Sequence, residues 1–205
     1  MAKYIFAFLV FPGFIFTVVA GLFSTWIDRK VSARVQWRVG PPLGQPVYDV
    51  LKLLGKETLL PEKGNRTLFI LAPILGLSAV TIVSTILWLA NVGEVSFVGD
   101  LIVVVYLLIL PSISVMLGGL SSANPLAATG ASREMKLILA YELPFLICLA
   151  TVIVKSGLSI KLTEIAGIPV IGSISGVLAF LISLFCIQAK LGFPPFDIAE
   201  AETEI

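Results

Sequence analysis

Two sets of carboxylates are placed where carboxylates can do chemistry. Glu142 sits in "AYELPF", inside an apolar run (137–154) bounded by Lys136 and Lys155. The second set closes the sequence: in "GFPPFDIAEAETEI", Asp197, Glu200, Glu202 and Glu204 follow one another without a basic residue. On a helix Asp197, Glu200 and Glu204 share a face at i, i+3 and i+7. A carboxylate in apolar surroundings pairs with a base, faces a wet cavity, or holds a proton. Acids as close together as the terminal set titrate as a group and suit holding or passing protons. The competing readings are packing glue between helices for Glu142, and a solvated face or a docking patch for the terminal acids.

Metal and nucleophile chemistry find no support. The chain has no histidine, which removes His-ligated zinc, bis-histidine haem and Ser-His-Asp arrangements. Cys148 and Cys186 fall in separate apolar stretches without C-x-x-C spacing, and read as small apolar residues. Neither a catalytic residue nor a metal site is expected in the chain.

The elements that position these acids must be membrane helices. Of 205 residues, 58% are hydrophobic and 13% charged, and the mean hydropathy is +1.03, values that place the chain among integral membrane proteins. Charge-free intervals at 4–27, 67–93, 101–132 and 165–189 each exceed the roughly 20 residues needed to cross the hydrocarbon. Together with the run holding Glu142 they predict an all-α integral membrane protein: five transmembrane helices and the start of a sixth, in a single transmembrane domain (1–205). The expected spans are 4–27, 67–92, 101–122, 134–154 and 168–189. The first ends in Trp26-Ile27-Asp28-Arg29-Lys30 without an A-x-A site, and is expected to stay in the mature protein. A helix beginning near Arg133 would put Glu142 about 13 Å along its axis. Pro144 would leave the carbonyl of Ala140 without its helical partner, adding a polar group close by.

Charge between the spans is lopsided. Eleven of the 14 Lys and Arg residues fall in 28–66, 121–136 and 190–205; the other side has Lys3, Lys155 and Lys161 beside Glu94, Asp100 and Glu164. Lys and Arg in short loops are retained on the cytoplasmic side. The N-terminus is therefore expected outside an inner, cytoplasmic membrane, with the basic loop (28–66) and the acidic loop (190–205) inside. In the basic loop Val47, Val50, Leu51 and Leu54 recur at i, i+3, i+4 and i+7, with Asp49, Lys52 and Lys56 off the stripe. That pattern predicts a short helix lying in the interface, with Pro46 in its first turn. The basic residues alone would be explained by the positive-inside rule and contact with anionic lipid.

Three segments, taken together, carry more. "DRKVSARVQWRVGPP…QPVYDVLKLLGKE", "GASREMKLILAYELPF" and "PPFDIAEAETEI", in this order between apolar spans, resemble the membrane subunit family shared by respiratory complex I, where it forms the quinone channel, and by energy-converting membrane-bound [NiFe]-hydrogenases. The compact Gly40-Pro41-Pro42-Leu43-Gly44-Gln45-Pro46 turn resembles the hydrogenase side, where complex I members carry a longer insertion. Family members have about eight spans, so the resemblance also implies that the family's C-terminal helices are lacking here, either because they are missing from this sequence or because the chain is a truncated or split version.

The resemblance implies that the basic platform docks an iron–sulfur small subunit and a [NiFe]-hydrogenase-like large subunit through Arg29, Lys30, Arg34, Arg38, Asp49 and Lys52. Arginine suits that role through its planar, bidentate fork. It assigns proton coupling to Glu142, Asp197, Glu200, Glu202 and Glu204, with Arg133 and Glu134 opening the helix that carries Glu142. The chain itself would bind no cofactor; iron–sulfur clusters and a NiFe centre would reside in partner chains, ferredoxin would be the indirect electron donor, and antiporter-like subunits would move H+ or Na+. Membrane lipid is an expected partner and nucleic acid is not. A quinone-channel subunit, a self-sufficient secondary transporter and a passive anchor are the competing readings; a transporter predicts an internal repeat, and none is evident.

Overall fold

The computed structural model describes residues 2–197, and among these every regular element is helical. The chain forms two compact units, residues 1–59 and 60–205. Four helical segments are long and apolar enough to cross a membrane: Ile5–Val35, Arg66–Val92, Asp100–Ser121 and Pro125–Lys155. The apolar helix at Ile174–Lys190 is shorter, at 17 residues.

In the first unit, helices α1 (Ala2–Leu9) and α2 (Phe14–Val35) are followed by α3 (Gln45–Leu54). Helix α2 runs past the boundary expected at Asp28 and on to Val35, so Arg29, Lys30 and Arg34 are helical. Charge does not end a helix, and Arg, Lys and Ala are good helix formers. The chain leaves α2 through Trp37, whose φ of 59° is left-handed. The indole Nε1 of Trp26 donates to the carbonyl of Pro41 at 3.2 Å, and Lys30 Nζ to those of Gly40 and Pro41 at 3.2 and 3.4 Å. This fixes the Gly-Pro-Pro turn against the end of α2. Pro46 lies in the first turn of α3, as expected.

In the second unit, α4 (Arg66–Val92) packs along α5 (Asp100–Ser121) through small residues. Ala72 and Ala79 are buried, and a Cβ on Gly76 would lie 2.4 Å from Ser114 Oγ. Without a hydrophobic drive between helices in lipid, close backbone approach of this kind supplies the attraction. The helix α6 (Pro125–Lys155) starts nine residues before the expected 134, because Asn124 accepts a hydrogen bond from the Leu126 amide at 3.0 Å and Pro125 suits a first turn. Glu142 is thus near the middle of a 31-residue helix. After α7 (Leu162–Ala166) and a 3-10 turn at Val170–Gly172, the last helix is α8 (Ile174–Lys190), six residues shorter at its start than the expected 168. Ser173 caps α8 by accepting from the Gly176 amide at 3.2 Å, and Lys155, the last residue of α6, hydrogen-bonds the same hydroxyl. Pro169 just upstream keeps a helix from forming earlier.

Asp100, expected as a loop charge, is wholly buried. Its Oδ1 accepts from the Leu101 amide at 2.8 Å and from the Leu162 amide, at the start of α7, at 2.9 Å. It thereby joins the first turns of two helices and meets the positive ends of both. Ser96 and Thr163 pair beside it at 2.7 Å.

Asp100→Ala strands both amides and is expected to cost about 1–3 kcal/mol for each buried donor, whereas Asp100→Asn, which keeps an acceptor oxygen, costs less. Thermal melting of the purified protein in detergent measures the difference.

Candidate functional site

The centre of the second unit holds an ion pair. Glu142 Oε2 on α6 lies 3.1 Å from Lys190 Nζ on α8, and the two side chains are only 12% and 14% exposed. The helices approach through Ile138, Tyr141 and Ala189, a buried cluster onto which Phe196 packs from beyond α8. Lys190 also faces two rings: its ammonium is 4.9 Å from the centre of Phe145 and 5.5 Å from that of Tyr141, within cation–π range. Tyr141 in turn meets the Ser112 hydroxyl of α5 at 3.1 Å.

The pair is close in distance yet poorly aligned. Both carboxylate oxygens and Lys190 Nζ are buried without an aligned hydrogen bond among the described residues. Coulomb attraction, rather than directional bonding, therefore holds it, and hydrogen-bonding capacity is left over. A charge at mid-helix costs roughly 2.5–3.5 kcal/mol on insertion scales. Attraction inside a low-dielectric region offsets that only while both partners stay in place.

Beside the pair lies a cavity of about 220 Å³ whose lining includes Ser112, Glu134, Lys190, Gly192 and Asp197. Lys190 is common to both places: it lines the cavity and pairs with Glu142, which is absent from the lining. The turn carrying Asp197 is well built. Gly192 takes the left-handed conformation (φ 67°) that ends α8, Gln188 Nε2 donates to the Pro194 carbonyl at 2.6 Å, and Phe196 anchors this segment onto the α6–α8 core. A larger cavity of about 530 Å³, walled by Cys148, Leu149, Phe180 and Ile187 among others, has no charged residue in its lining.

Of the residues singled out from the sequence, Glu134, Glu142 and Asp197 are thus gathered around one feature, and Glu200, Glu202 and Glu204 lie outside the described residues. Arg133 is half-buried on the turn of α6 that carries Glu134. Sequence reasoning misses Lys190, because charge counting puts it in the loop after the last span. Its signal is position: a lysine at the last residue of an apolar helix, where a long side chain can fold back along the neighbouring helix.

The residues expected from the sequence to dock partners lie in the first unit. Arg29 Nη1 donates to Asp49 Oδ2 at 2.8 Å, clamping α3 to α2, and Gln45 Nε2 donates to Asp49 Oδ1 at 3.1 Å. Lys30 is engaged by the Gly-Pro-Pro turn, while Arg34, Arg38 and Lys52 are exposed. Between them Trp37 and Val39 are 98% and 97% exposed. The hydrogen bond from Arg29, then that from Gln45, holds the Asp49 carboxyl below its usual value of 3.8.

Fold and site together define a multi-pass membrane protein built around a buried acid–base pair. A family profile described as NADH dehydrogenase matches residues 6–205, and the chain belongs to that family. It is 35% identical to the H subunit of NADH-quinone oxidoreductase from Thermomicrobium roseum, over 92% of this chain and 64% of that protein. The corresponding protein of Geobacillus kaustophilus is 33% identical, over 87% of this chain and 56% of the relative. Among solved structures, one of the membrane-bound sulfane sulfur reductase, an archaeal respiratory membrane complex, superposes with a TM-score of 0.86 at 28% identity. That match covers all of this chain and 67% of the other. The chain spans about 56–64% of the length of these curated relatives.

Two outcomes follow from the geometry. Lys190→Met leaves a buried carboxylate without its base and is expected to destabilise the protein by about 3–5 kcal/mol; adding Glu142→Gln recovers most of this, as a double-mutant melting cycle reads out. In the first unit, the depressed Asp49 value means that its contribution is complete above the unfolded value near 3.8 and is lost as pH falls through the folded one. Amide exchange across α3 is expected to quicken over that acidic window. In Arg29→Gln it is expected to be slightly faster already at neutral pH, because the half-exposed pair is screened by solvent.

Proposed function

We propose that this chain is the membrane anchor and ion-coupling subunit of an energy-converting, membrane-bound oxidoreductase complex of the hydrogenase type. The single observation that carries the reading is the buried Glu142–Lys190 pair, set beside a cavity that Glu134 and Asp197 also line. A passive anchor has no need of a charge pair that costs free energy to place in lipid. A pair of this kind can respond to a change in charge nearby.

In this reading the exposed Arg34, Arg38 and Lys52, with Trp37 and Val39 between them, form the surface that receives an iron–sulfur small subunit and a [NiFe]-hydrogenase-like large subunit. Exposed aromatic and arginine residues are the usual anchors of such interfaces. Arg29, Lys30 and Asp49 act from behind by fixing α3 and the Gly-Pro-Pro turn. Iron–sulfur clusters and the NiFe centre reside in those partners, ferredoxin supplies electrons through them, and antiporter-like subunits carry H+ or Na+. The basic platform and the acidic end face the cytoplasm and the N-terminus faces out. Glu200, Glu202 and Glu204 extend in sequence the acidic set begun by Asp197, and Arg133 and Glu134 belong with it to the coupling residues.

A second reading has its own support. The curated relatives are subunits of NADH-quinone oxidoreductase, which favours a quinone-channel subunit of complex I. The compact Gly-Pro-Pro turn favours the first reading.

Purification of the intact complex through a tag on this chain, with mass spectrometry of its partners, is expected to recover a [NiFe]-type large subunit and a small iron–sulfur subunit. Arg34→Glu/Arg38→Glu is expected to release both while the membrane subunits stay together. NADH- or quinone-binding partners in their place would establish the complex I reading, and a chain that purifies alone would refute the docking role. In sealed vesicles Glu142→Gln is expected to keep electron transfer and abolish ion movement; unchanged ion movement would refute the coupling role.

A further inference from the structure

Among the described residues, Lys190 alone is placed both against Glu142 and in the wall of the neighbouring cavity. Its ammonium makes no aligned hydrogen bond among the described residues, and it sits at the C-terminal end of α8, directly before the Gly192 turn that leads to Asp197. Glu134 and Glu142 are on the same helix, eight residues apart, or about 12 Å of rise. Lysine is a compact charge on a flexible four-carbon stem, so a change of rotamer can carry its ammonium from one side of the stem to the other. The rings of Tyr141 and Phe145 lie beside it and favour a cation wherever it rests over them.

We propose that Lys190 is a two-position cation: its ammonium alternates between Glu142, inside the membrane, and the carboxylates of Glu134 and Asp197, in the cavity. The inference rests on the reading of Glu142 as the coupling carboxylate and adds the group that switches it. With Lys190 against it, Glu142 is the carboxylate half of an ion pair. When Lys190 moves to the cavity, Glu142 is left as a lone carboxylate in a low-dielectric site and takes up a proton entering through the cavity. The return of Lys190 expels that proton. The lysine remains an ammonium throughout, so each cycle moves one proton on and off Glu142 and changes no other bond. The charged and titratable groups that face this movement are Glu134, Tyr141 and Glu142 of α6, Cys186 and Lys190 of α8 and Asp197 beyond it; α5 contributes the Ser112 hydroxyl. Lys190 is a positioning residue in this scheme, since it acts through Glu142.

Redox-difference infrared spectroscopy of the intact complex, dithionite-reduced minus ferricyanide-oxidised, tests it. The expected result is a protonated-carboxyl band that disappears in Glu142→Gln. The band is retained in Lys190→Arg, whose permanent charge can still move. It is lost in Glu134→Gln/Asp197→Asn, which keeps the Glu142–Lys190 pair and its melting temperature but removes the second resting place. Persistence of the Glu142 band in that double variant, its absence from the unmodified complex, or its loss in Lys190→Arg would each overturn the two-position scheme. Failure of the underlying reading looks different: ion movement per electron would then survive Glu142→Gln whatever the spectra show.

Discussion

A carboxylate and an ammonium largely shielded from the solvent that would stabilise them each cost free energy, and the second unit is arranged around that fact. Glu142 and Lys190 are held within 3.1 Å because α6 and α8 pack through Ile138, Tyr141 and Ala189. The same helices are tied at their other ends, where Lys155 hydrogen-bonds the Ser173 cap. Phe196, seated on the α6–α8 core, brings Asp197 back to the cavity beside the pair. If this packing opened, a buried charge would stand alone, and the penalty would fall on the whole helix pair.

The surrounding helices are held by other means. Along α4 and α5 the attraction comes from backbone proximity, with Gly76 against Ser114. Asp100, buried at the start of α5, uses both a neighbouring and a distant amide to anchor α7. Polar groups are therefore used in two ways in this unit. Asp100 Oδ1 accepts from two amides and joins the starts of two helices, whereas Glu142 and Lys190 meet as an ion pair across α6 and α8.

Much of this is legible in the sequence. Hydropathy identifies the apolar segments and the helical class, periodicity locates α3, and Glu142 stands out as the lone charge in an apolar run. Counting by charge misleads at helix ends. It cuts α2 at Asp28, although Arg and Lys continue a helix readily, and it begins α6 at Arg133, although Asn124-Pro125 is a good helix start. It also assigns Lys190 and Asp100 to loops, because a sequence does not reveal which way a side chain at a helix terminus turns. Partner choice across helices, such as Lys190 for Glu142 or Leu162 for Asp100, depends on tertiary packing and has no local signature. In the first unit the basic residues look alike in sequence, and only the structure separates Arg29 and Lys30, which bond Asp49 and the Gly-Pro-Pro turn, from Arg34 and Arg38 beside them.

The central claim is that protons reach Glu142 through the cavity shared by Glu134, Lys190 and Asp197. The most direct measurement is a high-resolution cryo-EM map of the intact complex in lipid nanodiscs, with ordered water traced through this region. A connected file of water running from the cavity, past Lys190, to the Glu142 carboxylate is the predicted result. A cavity filled by a partner's apolar side chains or by lipid, with Glu142 and Lys190 sealed from water on every side, would contradict it.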